Sequence, residues 1–341
     1  MKAAFVKKRN RVKLVDISVR QPEGREVLIR VDACGLCGSD YIDALTWAKE
    51  WKRFGHEITG TVVGMGRDVV NFSVDDNVVV ALSVPCGECP ACLANYPRKC
   101  TALIIAEQGG FAEYLLIKDF RLLVKVHKNV PVELACLAEP LTVVLDAFHL
   151  SALSKNDHLL VVGGGNIGSL ALLAALALNI NVSGMLSRSM YNDVRKQMEE
   201  NGGAHFKWQT IAGYLLFSPK SLQQRLYEVP GRIVVLHTAP VSSVMRYIDA
   251  LPYDSTIVNI GLSASPIQNR IILNGSTMIF KRIQFMNAFP VPCLYMGEAV
   301  RLIQENINLF SLVPVVRFGL DQLPALFKSA KPPGKAIMCQ H

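Results

Sequence analysis

Four cysteines within fifteen residues form the densest group of metal-binding side chains in the sequence. Cys86, Cys89, Cys92 and Cys100 follow the spacing C-x2-C-x2-C-x7-C. Four thiolates on one short segment can close a tetrahedron around Zn²⁺ and leave no open position for chemistry. An iron–sulfur cluster also takes four cysteines, although nothing else in the chain indicates electron transfer. The spacing is typical of metal binding rather than disulfides and predicts a structural zinc site.

The other cysteines divide into one candidate ligand and four packing residues. Cys37 stands in the sequence Gly-Leu-Cys-Gly-Ser-Asp. We expect the rest to be buried among apolar neighbours, because free cysteine behaves as a small apolar side chain. These residues are Cys34, Cys136, Cys293 and Cys339.

Cys37 belongs to a second, sparser set of chemically capable residues. The set comprises Cys37, His56, Glu57 and Glu139, with Ser39 and Asp40 beside the cysteine. One soft ligand, one borderline ligand and one or two hard ligands form the mixture found in open, catalytic zinc sites.

A glycine-rich turn provides the third chemical feature. The apolar run 159–162 precedes G-x-G-x-x-G, and an apolar helix pattern follows it. The first glycine permits the tight turn, the second lets backbone approach a pyrophosphate, and the third lets helix and strand pack closely. The helix N-terminus adds free N–H groups for the phosphates. The predicted cofactor-binding residues of this turn are Gly163, Gly165, Asn166, Ile167 and Gly168.

The residues after the second strand of this region bear on the choice of cofactor. An NAD site usually has a carboxylate there for the ribose hydroxyls. This chain has Ser187, Arg188 and Ser189 instead. A cation flanked by hydroxyls suits a 2′-phosphate, because it forms charge-assisted hydrogen bonds with it. The sequence therefore favours NADP, with NAD as the alternative.

The hydrophobic patterns that position these residues change along the chain. Up to about residue 140, short β-type runs alternate with turns and predict an irregular β-barrel. From about residue 157, buried strands alternate with helices, which is typical of a doubly wound parallel sheet. We expect an α/β protein with a catalytic domain over 1–141, a dinucleotide-binding domain over 142–286, and a segment 287–341 that returns to the first.

Composition excludes several other classes. The 341-residue chain has a formal charge of +8, but its cations are spread along the sequence and no nucleic-acid module is recognisable. No apolar run reaches the ~18 residues of a membrane span, and the N-terminus lacks the order of a secretory signal. We expect a cytoplasmic protein that binds neither nucleic acid nor membrane.

The order of these motifs resembles that of the zinc-containing medium-chain dehydrogenases, within the alcohol dehydrogenase superfamily. The Gly-His-Glu triplet ending at Glu57, the cysteine cluster, Gly109–Tyr114 and Glu139-Pro140-Leu141 all contribute to this resemblance. The last motif is similar to the sorbitol, threonine and glucose dehydrogenase branch. The family implies a GroES-like catalytic domain and a Rossmann domain, with the active site in the cleft between them.

The resemblance also implies roles and two zinc ions per chain. Cys37 and His56 would bind the catalytic zinc, and either Glu57 or Glu139 would be the third ligand. Asp40 would orient His56, since such partners fix the ligand's tautomer. Ser39 would pass the substrate proton.

Three departures from the family pattern stand out, and one of them, His237-Thr238-Ala239-Pro240 after a sheet strand, has no functional interpretation from the sequence. The family often has a relay histidine five residues after the first ligand, where this chain has Ile42. Tyr41, Asp43 or Glu139 are the possible substitutes. Only eighteen residues separate Cys37 from His56, so part of the pocket wall is expected to be missing.

Two functions from different classes remain open on the sequence. The first is a dehydrogenase that transfers hydride between a polyol, sugar, amino alcohol or cyclitol and NADP or NAD. The second is a catalytically silent homologue that binds zinc and cofactor for assembly or regulation. In either case a homodimer or homotetramer is expected.

Overall fold

The computed structural model describes residues 1–185, 219–329 and 331–340. Its contacts divide the chain into two units. The first unit comprises Met1–Thr142, Pro290–Ile307 and Pro314–His341, and the second comprises Val143–Phe289 and Asn308–Val313. The division differs from the expected one mainly at Asn308–Val313, which groups with the second unit.

The strands of the described residues are numbered in chain order. They are β1 Lys2–Lys7, β2 Arg11–Asp16, β3 Val27–Gly35, β4 Lys52–Arg53, β5 Glu57–Met65, β6 Asn77–Val80, β7 Ser83–Val84, β8 Ile104–Ile105, β9 Tyr114–Ile117, β10 Leu123–Lys125, β11 His158–Val162, β12 Asn181–Met185, β13 Ile233–His237, β14 Thr256–Asn259, β15 Gln284–Asn287, β16 Val315–Phe318 and β17 Lys335–Cys339.

The helices are numbered in the same way. The α-helices are α1 Gly38–Ile42, α2 Pro90–Leu93, α3 Val132–Cys136, α4 Ala138–Leu150, α5 Asn166–Ala177, α6 Pro219–Glu228, α7 Gly275–Phe280, α8 Met296–Glu305, α9 Ile307–Phe310 and α10 Leu323–Leu326. A π-helix, Asp43–Trp47, continues α1.

The main sheet of the first unit has the strand order β10-β6-β5-β3-β17-β16, and β9 also pairs with β3. Strand β3 is almost wholly buried and lies between β5 and β17. In the register, Gly35 pairs with Glu57 on one side and with Ile337 on the other. The chain's last strand therefore lies directly beside the strand that leads to Cys37.

Aromatic side chains fill the core of the first unit. Phe54 is fully buried and packs against Phe111 and Phe327, with ring centroids 4.9 and 5.7 Å apart. Phe54 follows β4 and Phe327 follows α10. Their contact therefore joins the segment that leads to His56 to the region after α10.

The second unit contains a five-stranded parallel sheet of order β12-β11-β13-β14-β15. Strands β11 and β13 are buried along their whole length, as expected for strands at the centre of such a sheet. Their apolar runs were the basis of the sequence prediction. Among the described residues, no helix is both long enough and apolar enough to span a membrane.

Candidate active site and metal centres

Cys37 lies at the junction of β3 and α1, in the first unit. Strand β3 ends at Gly35, and Cys37 is the N-cap of α1. Its backbone N–H donates to the Asp40 carboxylate over 2.8 Å. A carboxylate near a helix N-terminus satisfies free N–H groups and interacts favourably with the helix dipole. Asp40 therefore fixes the turn that carries Cys37.

Asp40 also faces His56. Its Oδ1 lies 3.7 Å from His56 Nδ1, and both side chains are buried. Burial opposes the charged imidazolium, but Asp40, a hydrogen bond with Cys37 and the charge of Glu139 outweigh it. The net effect raises the pKa of His56 well above its usual value. The aspartate thus has the position that the resemblance implied, next to the imidazole.

Glu57 begins β5 and meets a cation that the sequence analysis did not single out. The buried ammonium of Lys335, the first residue of β17, is ion-paired with its carboxylate. Gly35 makes room for this pair. A methyl group added at Gly35 would overlap Glu57 Oε2 and press on Lys335 Cε.

Glu139 is the second residue of α4 and is buried. Burial raises the pKa of its carboxyl to about 7, while the nearby charge of His56 acts in the opposite direction. Glu57, Lys335 and Asp40 also act on it electrostatically. Glu139 therefore belongs to the same charged cluster as the two candidate ligands before it.

The donor atoms of three predicted ligands come together. One ligand atom each of Cys37, His56 and Glu57 lies within 4.8 Å of the other two. A thiol, an imidazole and a carboxylate suit Zn²⁺, and three protein ligands leave its fourth position open. Glu139 is not part of this closest group. Ser39 is half-buried on the first turn of α1, next to Asp40.

The candidate substitutes for a relay histidine differ in their contacts. Ile42 is buried. The ring of Tyr41 packs against Phe327 at 5.1 Å, and Lys331 Nζ lies 4.4 Å from its centroid. Asp43 pairs with Lys52 at 2.7 Å. Of the three residues considered, Glu139 alone is electrostatically coupled to His56.

The four cysteines of the dense cluster also converge. Their sulfur atoms all lie within 4.8 Å of one another, with Cys86 Sγ 3.9 Å from Cys92 Sγ and 3.5 Å from Cys100 Sγ. Zn–S bonds of ~2.3 Å in a tetrahedron place sulfur atoms about 3.8 Å apart. The separations fit a zinc ion.

Backbone groups support thiolates in this cluster. The N–H groups of Glu88 and Cys89 donate to Cys86 Sγ, and that of Cys86 donates to Cys100 Sγ. Hydrogen bonds from backbone, that of Thr101 first, lower the pKa of Cys89 to about 6. Metal binding requires thiolates, so these donors favour the binding form.

Of the four cysteines expected in packing roles, three are buried: Cys34, Cys136 and Cys293. The prediction was wrong for Cys339, which is only half-buried. It is the last residue of the C-terminal strand, where the covering of the sheet ends.

The glycine turn adopts the expected strand–turn–helix geometry in the second unit. Gly163 has a φ of 113°. Gly165 is the N-cap of α5, and Asn166 and Ile167 are the first two residues of that helix. A methyl group at Gly168 would overlap the Gly163 carbonyl, whereas one at Gly165 would meet nothing within 4 Å. The space beside Gly165 is therefore open for a pyrophosphate. Ser187, Arg188 and Ser189 lie outside the described residues.

The sequence analysis assigned no role to two polar residues that lie beside this turn. Thr238 Oγ1 donates to the carbonyls of Val162 and Gly163, at 3.2 and 3.3 Å. His237, buried at the end of β13, bonds Tyr247 Oη at 2.9 Å. The sequence shows that residues 237 and 238 are polar, but it does not show that they lie beside the glycine turn. The pairing of β13 with β11 places them there.

Comparison with known proteins agrees with this geometry. Residues 23–128 match the alcohol dehydrogenase GroES-like domain family. The chain is 33% identical to an uncharacterized zinc-type alcohol dehydrogenase-like protein of Haemophilus influenzae, over 52% of this chain and 53% of that one. It is 32% identical to the galactitol 1-phosphate 5-dehydrogenase of Escherichia coli K12, over 45% of each chain. These alignments span about half the length of the curated relatives.

A solved structure extends the similarity to the whole fold. The crystal structure of galactitol-1-phosphate dehydrogenase from Escherichia coli matches with a TM-score of 0.81 and 22% identity, and the match covers 100% of both chains. The predicted fold class, a GroES-like barrel with a Rossmann domain, is confirmed. The chain therefore contains a domain that matches the alcohol dehydrogenase GroES-like family, and it shares the fold of a solved dehydrogenase.

Proposed function

We propose that this protein is a zinc-dependent dehydrogenase that transfers a hydride between a nicotinamide dinucleotide and a secondary hydroxyl or ketone. The observation that carries the proposal is the convergence of the Cys37, His56 and Glu57 donor atoms in a chain that also has the glycine turn. The substrate class is a polyol, sugar, amino alcohol or cyclitol. This substrate class is supported by a relative named galactitol 1-phosphate 5-dehydrogenase, which acts on a polyol phosphate according to its name.

Each side chain of the site has a chemical task in this proposal. Zinc bound there would supply Lewis acidity, which lowers the pKa of a substrate hydroxyl. Asp40 lies beside Nδ1 of His56 and would orient the ring, which would leave the other ring nitrogen for the metal. Ser39 would pass on the hydroxyl proton of the substrate, taking it at Oγ while its own hydroxyl proton leaves to solvent. The buried charges of this cluster interact strongly with one another, because little water screens them.

Two carboxylates are candidates for the third protein ligand: Glu57, whose donor atom lies with those of Cys37 and His56, and the neighbouring Glu139. Lys335 already neutralises Glu57, whereas the buried Glu139 carboxyl has a raised pKa of about 7. A divalent cation beside Glu139 would stabilise its charged form.

The cofactor and assembly complete the proposal. NADP is favoured over NAD because of Arg188 and its neighbouring hydroxyls.

A homodimer or homotetramer is consistent with the exposed Ile279 and Phe280, each 74% accessible, which precede the edge strand β15. A cytoplasmic location and the absence of nucleic-acid or membrane partners stay predictions.

The decisive experiment is a turnover assay with a panel of polyols, sugars, amino alcohols and cyclitols, each with NADP⁺ and NAD⁺. We expect one class to support cofactor reduction, and we expect His56→Ala to abolish it. His127→Ala, at an exposed histidine, is the matched control. Tight cofactor binding without turnover across the whole panel would instead support the silent homologue.

A further inference from the structure

A second cleft lies on the first unit, apart from the residues of the candidate metal centres. Its volume is about 540 Å³. None of the predicted ligands, proton-transfer residues or glycines contributes to it. The lining includes Arg9, Arg11 and Lys328, together with the apolar side chains of Val12, Trp51 and Phe327.

The lining of this cleft is strongly cationic. Arg9, Arg11 and Lys328 contribute three positive charges, and no carboxylate lines it. Lys13 stands beside it, with its ammonium 4.5 Å from the centre of the Trp51 ring.

Two acidic residues near Trp51 are paired with lysines that do not line the cleft. Glu50, next to Trp51, pairs with Lys7 at 3.0 Å. Asp43 pairs with Lys52 at 2.7 Å. The cleft therefore keeps an excess of positive charge, which attracts anions.

The walls of the cleft are fixed before any ligand arrives. The turn between β1 and β2 has Arg9 and Asn10 in the left-handed region, with φ of 70° and 53°. The N–H groups of Lys8 and Asn10 donate to the carbonyls of Ala48 and Ala44 over 2.7 and 2.9 Å. These bonds anchor the turn to the π-helix that follows α1, so little ordering is needed on binding.

Part of the lining of the cleft is apolar. Phe327 is only 3% exposed and packs against Phe54 and Tyr41. With Val12 and Trp51 it gives the cleft an apolar side next to the cationic one. A ligand that carries both an anion and a carbon skeleton would match both surfaces.

A buried polar atom at this turn lacks a partner. Asn10 Oδ1 is shielded from solvent and has no hydrogen-bond partner among the described residues. Asn10 therefore brings an unmet hydrogen-bonding capacity to the turn that borders the cleft.

We propose that this cleft binds the phosphoryl group of a small organic phosphate. Guanidinium groups match phosphate oxygens in two-pronged geometry, and two arginines with a lysine suit one dianionic phosphoryl group. The apolar wall of Val12, Trp51 and Phe327 contacts the organic part. The inference goes beyond the dehydrogenase function, because it uses none of the residues assigned to that reaction.

Calorimetric titration of the intact protein with glucose 6-phosphate, inorganic phosphate and glucose tests this assignment. We expect glucose 6-phosphate to bind with a Kd on the order of 1 mM or tighter, inorganic phosphate to bind more weakly, and glucose not to bind. The variant R9Q/R11Q should weaken binding at least tenfold, and K328Q should weaken it severalfold. R67Q/K155Q removes the same charge from exposed sites elsewhere and should bind as the wild type does.

Two results would overturn the assignment. One is no measurable binding of either phosphate to the wild type. The other is unchanged binding in both R9Q/R11Q and K328Q, which would place the anion elsewhere, such as at the glycine turn. Lys328 is exposed, so K328Q tests the cleft even where the double variant fails to fold. Neither result depends on turnover, so each is separate from a failure of the dehydrogenase assay.

Discussion

The ammonium of Lys335 is ion-paired with the carboxylate of Glu57, and each side chain is only 1% exposed. Lys335 also donates to the carbonyl of Leu36 over 3.2 Å, immediately before Cys37. Burial opposes its charge, but Glu57 and Cys37 outweigh burial and raise the pKa of Lys335 above its usual value. A fixed positive charge thus stands behind the candidate zinc ligands.

Replacement of this lysine should destabilise the protein strongly. Lys335→Met leaves Glu57 buried without its cation, and loss of one partner of a buried pair costs about 3–5 kcal/mol. Urea unfolding measures the change. The double variant Lys335→Met/Glu57→Gln should recover part of the loss, because no unpaired charge remains. Lys155→Met, at an exposed lysine, should change the free energy of unfolding by less than about 0.5 kcal/mol. Equal losses in the single and double variants would contradict this account.

A methyl group beside the same pair should disturb the metal centre. Gly35→Ala overlaps the Glu57 carboxylate, and overpacking of this kind costs roughly 1–3 kcal/mol. We expect lower stability and weaker zinc retention in competition with a chelator. Gly38→Ala is the matched control, since a methyl group there meets nothing within 4 Å. Similar behaviour of the two variants would argue against a tightly packed Glu57.

The glycine turn allows stability to be separated from cofactor binding. Gly165→Ala should leave the melting temperature unchanged, since the added methyl group meets no protein atom, but it should weaken cofactor binding at least tenfold. Gly168→Ala should lower both, because its methyl group collides with the Gly163 carbonyl. Thermal melting and fluorescence titration with NADPH measure the two effects. Unchanged NADPH affinity in Gly165→Ala would show that the pyrophosphate binds elsewhere.

His158 should make stability depend on pH. Burial lowers the pKa of this histidine to about 4, and its Nε2 bonds Ser183 Oγ at 2.8 Å. Between pH 6.5 and 4 the unfolded chain binds the proton more readily than the folded one. Stability is therefore lost as pH falls through this window, by up to about 3 kcal/mol.

Urea unfolding at several pH values, with and without this histidine, checks that loss. His158→Gln should flatten the slope of stability against pH between 6.5 and 4, and His127→Gln should retain the wild-type slope. An unchanged slope in His158→Gln would mean that other groups cause the acid sensitivity.

Local spacing made the cysteine cluster and the glycine turn predictable. Cys86 to Cys100 fold onto one short segment, and Gly163 to Gly168 form one turn between adjacent elements. In both cases the residues are close in the sequence, so the chemistry follows from the motif. The alternation of buried strands and helices likewise predicted the parallel sheet.

Long-range pairing was not predictable in the same way. Lys335 reaches Leu36 across 299 positions, and only the pairing of β17 with β3 brings them together. Thr238 reaches the glycine turn through the pairing of β13 with β11. The directions of Tyr41 and Asp43 depended on partners, Phe327 and Lys52, that no local pattern specifies.

Zinc content per chain tests the central claim most directly. We predict two zinc ions in the wild type, one in Cys37→Ser, and two in Cys293→Ser, a buried cysteine that bonds Thr142 Oγ1 and belongs to neither group of donor atoms. Folding of each variant is checked by circular dichroism. One zinc in both the wild type and Cys37→Ser would mean that only the four-cysteine cluster binds metal, and it would contradict a zinc-dependent active site.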